Sequence, residues 1–339
     1  MKSIVIGFDT SNYRTSSAVV TVEGEILMNS RLLLPVESGE RGLRQSEAVF
    51  AHLKQMRSVV EPLRSAVKNS RVVAVCVSTK PRNSEESYMP VFQVGDTIGR
   101  SLAAAMDVPC FFSDHQWGHI RAAQHGTNLE NKKNFLAVHL SGGTTDLLSV
   151  QGETLTELGK SLDLHAGQLV DRIGVEMGLP FPAGEEMEKI AVNGQCTGIL
   201  GCSMTNDDLN CHFSGAETKA IRLLRNNSIR KEDLAIEIYD LLARTVNRML
   251  KAGMRKTGLK DALIAGGIAS SELFREMLLS RCCASNPAMN LFFGAPEYSG
   301  DNAVGIALIG ADRFKRLKNI SLREQESREY GGTYDSSDS

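Results

Sequence analysis

Residues 4–34 and 135–163 are written in the same grammar, and that recurrence restricts what the chain can fold into. In the first stretch an apolar strand ends at Asp9-Thr10, a small polar turn follows from Ser11, and SSAVVTV and EILMNSRLLL continue as two further strands. In the second, FLAVHL runs into Ser141-Gly142-Gly143-Thr144-Thr145-Asp146, then LLSV, a glycine-containing turn and ETLTEL. A strand, a phosphate-sized turn, a strand, a turn and a strand, twice over, predicts two halves of one architecture. Set facing each other, such halves would bring both small-residue turns to one cleft.

Helices and strands alternate outside the two meanders. RQSEAVFAHLKQMRSVVEPLRSAVK carries Val49, Leu53, Met56, Val60 and Leu63 at helical spacing. RVVAVCVST is a nearly continuous apolar run, as in strands buried on both faces. QVGDTIGRSLAAAMD and KEDLAIEIYDLLARTVNRMLKAGMRK predict helices, VPCFFSD a strand, and ALIAGGIASSELFREMLLSR a strand, a glycine turn and a helix. The alternation predicts an α/β chain with a mixed sheet in each half. The halves are expected at 1–130 and 131–297, with 298–320 returning to the first. From 321, SLREQESREYGGTYDSSDS lacks apolar periodicity and is expected to be a disordered tail.

Bulk properties narrow the function. With 38 basic and 40 acidic side chains the formal charge is -2, so a basic surplus of the kind that grips nucleic acid unaided is missing. MKSIVIGFDT has neither the apolar run nor the small-residue cleavage site of a signal peptide, and no long apolar stretch predicts a membrane span. The seven cysteines form no CxxC pair and predict reduced thiols in a cytoplasmic protein rather than a zinc-cysteine site.

Three glycine-rich or small-residue turns each follow an apolar strand: Asp9-Thr10-Ser11, Ser141-Gly142-Gly143 and Gly266-Gly267. Backbone N–H groups at such turns cradle phosphate oxygens because no Cβ blocks the approach. Taken in this order they predict adenine-nucleotide binding. Asp114-His115-Gln116-Trp117-Gly118-His119 sets two histidines at i and i+4, so both imidazoles can reach one metal ion. Without a glutamate after the first histidine this is no metalloprotease helix. Asp301, at a turn before AVGIALIGADRF, offers a third ligand, or else caps that helix. His125 is expected at the surface. In DLHAGQLVDRIGVEMGLPFPAGEEMEKIA, Asp171 and Glu188 could accept bonds from ribose hydroxyls and Gly184 would let a sugar approach; Asp163 and Asp171 could equally be caps.

Together these pieces resemble the tRNA threonylcarbamoyl-adenosine synthases, the TsaD or glycoprotease-like family, over most of residues 1–312. His115 and His119 match its HxxxH pair, Asp301-Asn302 its TDN segment, and His139-Leu140-Ser141-Gly142-Gly143 its LVSGG turn. Asp171, Gly184 and Glu188 match its ribose-binding positions, Phe213-Ser214-Gly215 and Thr218 match FSGLKT, and Gly266-Gly267-Ile268-Ala269 matches GGVA. The resemblance implies an α/β, two-lobed actin-like ATPase fold with duplicated mixed-sheet domains and flanking helices. It implies ATP or an acyl-adenylate as nucleotide ligand and one divalent metal, iron or zinc, on His115, His119 and Asp301. It implies Asp9, Thr10 and Ser11 as the catalytic turn, and nucleotide contacts from His139 to Gly143, Asp171, Gly184, Glu188, Gly266, Gly267 and Ser271. The implied reaction moves a threonylcarbamoyl group from its AMP anhydride to adenosine N6 of tRNA, with partner proteins of the tRNA-modification machinery. The chain departs from the family's ETSCDET at Tyr13 and Arg14, from its GPGLxGSL at Lys80 to Asn83, and at Thr144 and Ser271. Those departures suit a paralogue that carbamoylates another acceptor, or a nucleotide-binding non-catalytic partner, as well as the tRNA enzyme.

Overall fold

The computed structural model describes residues 1–35, 43–84, 87–300 and 302–330, the last ten of these by their backbone alone. The chain divides into unit 1, Met1–Ala122 with Asp301–Ser339, and unit 2, Ala123–Gly300. The sequence placed the breaks near 130/131 and 297/298.

Unit 1 opens with β1 (Lys2–Thr10), β2 (Arg14–Thr21) and β3 (Ile26–Leu33), an antiparallel meander. Helices α1 (Gln45–Val60) and α2 (Leu63–Val67) lead to β4 (Ser70–Lys80), then α3 (Phe92–Met106), β5 (Cys110–Asp114) and α4 (His115–Gln124). The sheet order is β3-β2-β1-β4-β5, with β1, β4 and β5 mutually parallel. Central in the sheet and packed by α3 and by the C-terminal helix, β4 has its Val72 to Ser78 run wholly buried, as that apolar stretch requires.

Unit 2 repeats the plan. After β6 (Asn134–Leu140), β7 (Thr145–Gln151) and β8 (Thr154–Lys160) come α5 (Ala166–Glu176), α6 (Gly184–Ala191), the short pair β9 (Ser203–Met204) and β10 (Cys211–His212), α7 (Ser214–Arg225) and α8 (Lys231–Thr257). Then follow β11 (Asp261–Ala265), α9 (Glu272–Ser285) and β12 (Asn290–Phe293). The order β8-β7-β6-β11-β12 reproduces that of unit 1 strand for strand. Helix α8 carries the buried side of the unit, with Glu232 and Asp233 in its first turn, Arg255 and Lys256 in its last, and Gly258 in the left-handed conformation closing it.

The repeat extends to single hydrogen bonds. In unit 1 the hairpin closes at Thr10↔Thr15, Ser11 N–H donates to Arg14 O at 3.1 Å, and Ser11 Oγ accepts from Tyr13 N–H at 3.3 Å. In unit 2 it closes at Leu140↔Thr145, Ser141 N–H donates to Thr144 O at 2.8 Å, and Ser141 Oγ accepts from Gly143 N–H at 3.3 Å. A serine opening each turn thus folds both by the same local side-chain bond.

Two expectations need revision. Helix α1 buries Ala48, Ala51, His52, Met56 and Val59, while Leu53 points outward. Met56 and Leu63 lie in the core with Val49 and Val60 packed against it, so only Leu53 departs from the spacing. Its neighbour His52 turns inward instead, its ring nitrogens meeting Thr15 Oγ1 and Ser11 O, both at 2.8 Å, so a polar residue serves as the inward anchor. Burial, against the opposing bond to Ser11 O, lowers its pKa and keeps the ring neutral. At the other end of the chain, α10 (Val304–Tyr330) continues through residues 321–330. That stretch lacks an apolar face but is rich in Arg, Glu and Gln, which favour helix; residues 331–339 lie outside the described ones. Among the described residues no helix is long and apolar enough to cross a membrane.

Candidate functional site

In unit 2 the turns after β6 and β11 lie side by side, because the strands pair in parallel with Ala265 opposite His139. Gly266 has φ 96°, and a Cβ there would stand 2.2 Å from Leu140 O. The amino end of α5 completes the corner. Gly167 N–H donates to Ser141 O at 3.1 Å, Ala166 N–H donates to Thr145 Oγ1 at 2.8 Å, and a Cβ at Gly167 would meet Gly142 N at 2.6 Å. Gly142 and Gly267 are exposed, with open space where a side chain would be. The expected residues Ser141, Gly142, Gly143, Gly266 and Gly267 are therefore brought together, with exposed backbone of the sort that receives an anion. Leu140 and His139 are buried in the strand and support this rim from beneath.

The expected sugar-binding residues form a second cluster in the same unit. Asp171 on α5 accepts Ala183 N–H at 2.8 Å, and Glu188 on α6 accepts Leu273 N–H at 2.8 Å. Ser271 caps α9, accepting from Phe274 N–H at 3.1 Å. Tyr239 of α8, unremarked in the sequence, donates to Gly184 O at 2.8 Å and fixes the start of α6. Burial raises the Asp171 pKa, opposed by the Ala183 bond, and burial likewise raises that of Tyr239, with Glu188 and Asp171 nearby as negative charges. Only one Asp171 oxygen is engaged by Ala183, which leaves acceptor capacity for a hydroxyl.

Unit 1 holds the histidines. Asp114 caps α4, accepting from Trp117 N–H at 2.8 Å, and so starts the helix that puts His115 and His119 on one face. Their Nε2 atoms stand 3.1 Å apart, and His115 Nδ1 lies 2.9 and 3.0 Å from the two carboxylate oxygens of Asp9. Gly118, in the same turn as the histidines, packs against the start of α10: a Cβ on Gly305 would lie 1.8 Å from Gly118 O. Asp301 lies outside the described residues. Asn302 Oδ1 accepts from Val304 N–H at 3.0 Å, an Asx turn leading into α10. Two convergent imidazole nitrogens, one backed by a carboxylate, fit a divalent ion. Of the expected catalytic turn, Asp9, Thr10 and Ser11 are all buried; Thr10 donates to Val91 O and accepts from Gly95 N–H, tying α3 to the strand. His125, expected at the surface, is half-buried against Glu130 Oε1 at 2.6 Å.

A sequence profile described as TsaD, tRNA N6-adenosine threonylcarbamoyltransferase, matches residues 42–308. The chain belongs to the TsaD family. Among solved structures, HypF from T.kodakarensis is similar with a TM-score of 0.59 at 14% identity, covering 91% of this chain and 47% of that one. A ROK family glucokinase from Streptomyces griseus in complex with glucose and AMPPNP gives 0.55 at 13% identity, over 91% and 99% of the two chains. The activator of the 2-hydroxyisocaproyl-CoA dehydratase from Clostridium difficile with bound ADPNP gives 0.51 at 13% identity, over 94% and 97%. What is shared at these identities is the actin-like ATPase fold, two mixed sheets with flanking helices.

Two further polar clusters in this TsaD chain serve the fold. Cys196, Glu237 and Asp240 bring ligand-type atoms within 4.8 Å of one another. Glu237, however, accepts from the N–H groups of Thr197, Gly198 and Leu200, and Asp240 is paired with Arg244 and Arg281, so their charge is already met. Asp163 takes Leu164, Phe213 and Ser214 N–H groups and the Ser214 hydroxyl, binding the FSG segment to the loop before α5. Burial pushes its pKa up, but the hydroxyl and N–H bonds outweigh that and hold it at about 2. A folded-state pKa below the unfolded one gives stability that is complete above about pH 4. It is lost as pH falls through about 2. Urea midpoints of wild type and Asp163→Asn should therefore differ by a constant amount at neutral pH and converge towards pH 2. A gap independent of pH would rule out this charged anchor.

Proposed function

We propose that this chain transfers a threonylcarbamoyl group from threonylcarbamoyl-AMP to N6 of a tRNA adenosine. The observation that carries it is the corner of unit 2, where Ser141-Gly142-Gly143 and Gly266-Gly267 meet above the start of α5, in a chain of the TsaD family. The phosphate of the acyl-adenylate would accept from backbone N–H groups at Gly142 and Gly267, and Asp171 would accept from a ribose hydroxyl. In the transfer, N6 forms a bond to the carbamoyl carbon, the carbon–oxygen bond to the phosphate breaks, and AMP leaves with that electron pair while N6 gives up a proton. Backbone donors set around the phosphate stabilise the charge that gathers there as AMP departs. No protein nucleophile is needed. His115, His119 and Asp301 would hold a divalent ion, iron or zinc, which when bound supplies Lewis-acid polarisation of an acyl or phosphate oxygen.

Tyr13 favours a second reading. It is 59% exposed on the turn where the family carries an acidic residue, so the surface beside that turn differs. A paralogue acting on another acceptor, or a nucleotide-binding partner protein without turnover, would suit this change. The deciding experiment is nucleoside analysis of tRNA from a strain lacking this chain. Loss of threonylcarbamoyl-adenosine, restored by the wild-type chain, is the expected result. A normal level in a genome with no second family member would exclude tRNA as the acceptor.

A further inference from the structure

We infer that Asp9, held in turn by Ser78, is a positioning residue that fixes the tautomer of His115 and so aims its Nε2 at the metal. The inference rests on the metal reading given under Proposed function.

Strands β1, β4 and β5 run parallel as neighbours, so the ends of all three lie at one edge. Asp9 is the next-to-last residue of β1, beside Ser78 on β4, and His115 is the first residue after β5. The side chain of Asp9 is fully buried, so it does not present itself to substrate as a catalytic acid or base would. Its oxygens are spent inside the protein: Ser78 Oγ donates to Oδ1 at 2.5 Å, and His115 Nδ1 faces Oδ1 and Oδ2 at 3.0 and 2.9 Å.

A carboxylate offers only acceptors, so Nδ1 of His115 faces it as the donor, and a ring carrying one proton carries it there. Its Nε2 then carries the lone pair and is directed at His119 Nε2, 3.1 Å away. For that pair to be attractive, His119 must present Nε2–H. An ion arriving between the rings finds a lone pair already in place on His115, and His119 supplies one by moving its proton to Nδ1. Carboxylates behind metal-bound histidines act in this way and are commonly worth about 10- to 100-fold in affinity. Ser78 makes the orientation directional. In Asp9→Asn, the hydroxyl would keep the amide oxygen at Oδ1 and leave the amide N–H₂ at the Oδ2 position, 2.9 Å from His115 Nδ1, where two facing donors favour the proton on Nε2. The same exchange behind a catalytic histidine gives the wrong tautomer.

The test uses the full chain freed of metal with a chelator, zinc alone as probe, and competition with a chromophoric chelator as readout. Asp9→Asn should bind zinc about 10- to 100-fold more weakly than wild type. Ser78→Ala should shift affinity in the same direction by less, with one zinc per chain retained. Long-range proton–nitrogen spectra of the metal-free protein give a readout independent of zinc: His115 should be Nδ1-protonated in wild type and Nε2-protonated in Asp9→Asn. Equal zinc affinity in both variants and wild type, or an Nε2-protonated His115 in wild type, would overturn the inference while leaving the metal site standing. Wild type that binds no zinc would instead remove the metal reading itself, and this inference with it. Should Asp9→Asn fail to fold, the wild-type spectrum and Ser78→Ala decide alone.

Discussion

Gly266→Ala is expected to destabilise unit 2 by about 2–6 kcal/mol and to weaken AMP binding by about tenfold or more. Two separate penalties add. The backbone there has φ 96° and ψ 174°, a region that L side chains rarely enter and whose cost is about 1–3 kcal/mol. The added methyl would also stand 2.2 Å from Leu140 O, the carbonyl just before the Ser141-Gly142-Gly143 turn. Relieving such overpacking costs about 1–3 kcal/mol and moves backbone. Here the backbone that must move is the rim proposed to hold phosphate, so stability and affinity should fall together. Gly267→Ala is the control, since nothing lies within 4 Å of the position its Cβ would take. The measurement needs care because Trp117, the single tryptophan, belongs to unit 1 and its fluorescence would miss the event. Hydrogen exchange of β6 and β11 amides, or far-UV circular dichroism in urea, reads unit 2 directly. A pair of variants with the same midpoint would show that the two turns do not depend on each other.

The duplicated meander was legible because hairpins are local: apolar alternation and a serine-led turn determine each by residues close in sequence, and both turns proved to close by the same bonds. That each glycine turn follows a strand was legible for the same reason; that the two lie side by side was not, because it comes from the parallel pairing of β6 with β11, far apart in sequence. Tyr239 was not, because its partner Gly184 lies far along the chain, and a tyrosine in an amphipathic helix gives no sign of what its hydroxyl meets. Gly167 could have been suspected from its place in the first turn of α5, but only the approach of Ser141 and Gly142 shows why a side chain is barred there. The surroundings of Asp9 were not legible. A carboxylate ending a strand beside a polar turn suggests chemistry at a surface, whereas parallel pairing of β1 with β4 buries it against Ser78. On α1 the apolar spacing held for Val49, Met56, Val60 and Leu63 and missed only at Leu53, whose place is taken by His52, because a histidine with both ring nitrogens bonded belongs in a core as securely as a leucine.

His119→Ala should abolish retention of metal while leaving unit 1 folded. Binding free energies of protein metal sites begin at about 10 kcal/mol, so one ligand of three accounts for about 3 kcal/mol, or a hundredfold and more in Kd. The loss is expected to be larger here than for either member of the Asp9–Ser78 pair, because those residues aim a ligand and His119 is one. Folding should survive, since the helix is started by Asp114 on Trp117 and tied to α10 by Arg121 with Asp312 at 2.8 Å, neither of which involves the imidazole. His125→Ala serves as the comparison: its ring is committed to Glu130, so metal content should match wild type. Elemental mass spectrometry on gently purified protein, with circular dichroism beside it, makes the check. About one iron or zinc per wild-type chain, absent from His119→Ala and present in His125→Ala, would tie the metal to the His115–His119 turn. Equal content in all three would place any bound ion elsewhere, and the two facing Nε2 atoms would then be no more than a hydrogen-bonded pair at the edge of the sheet.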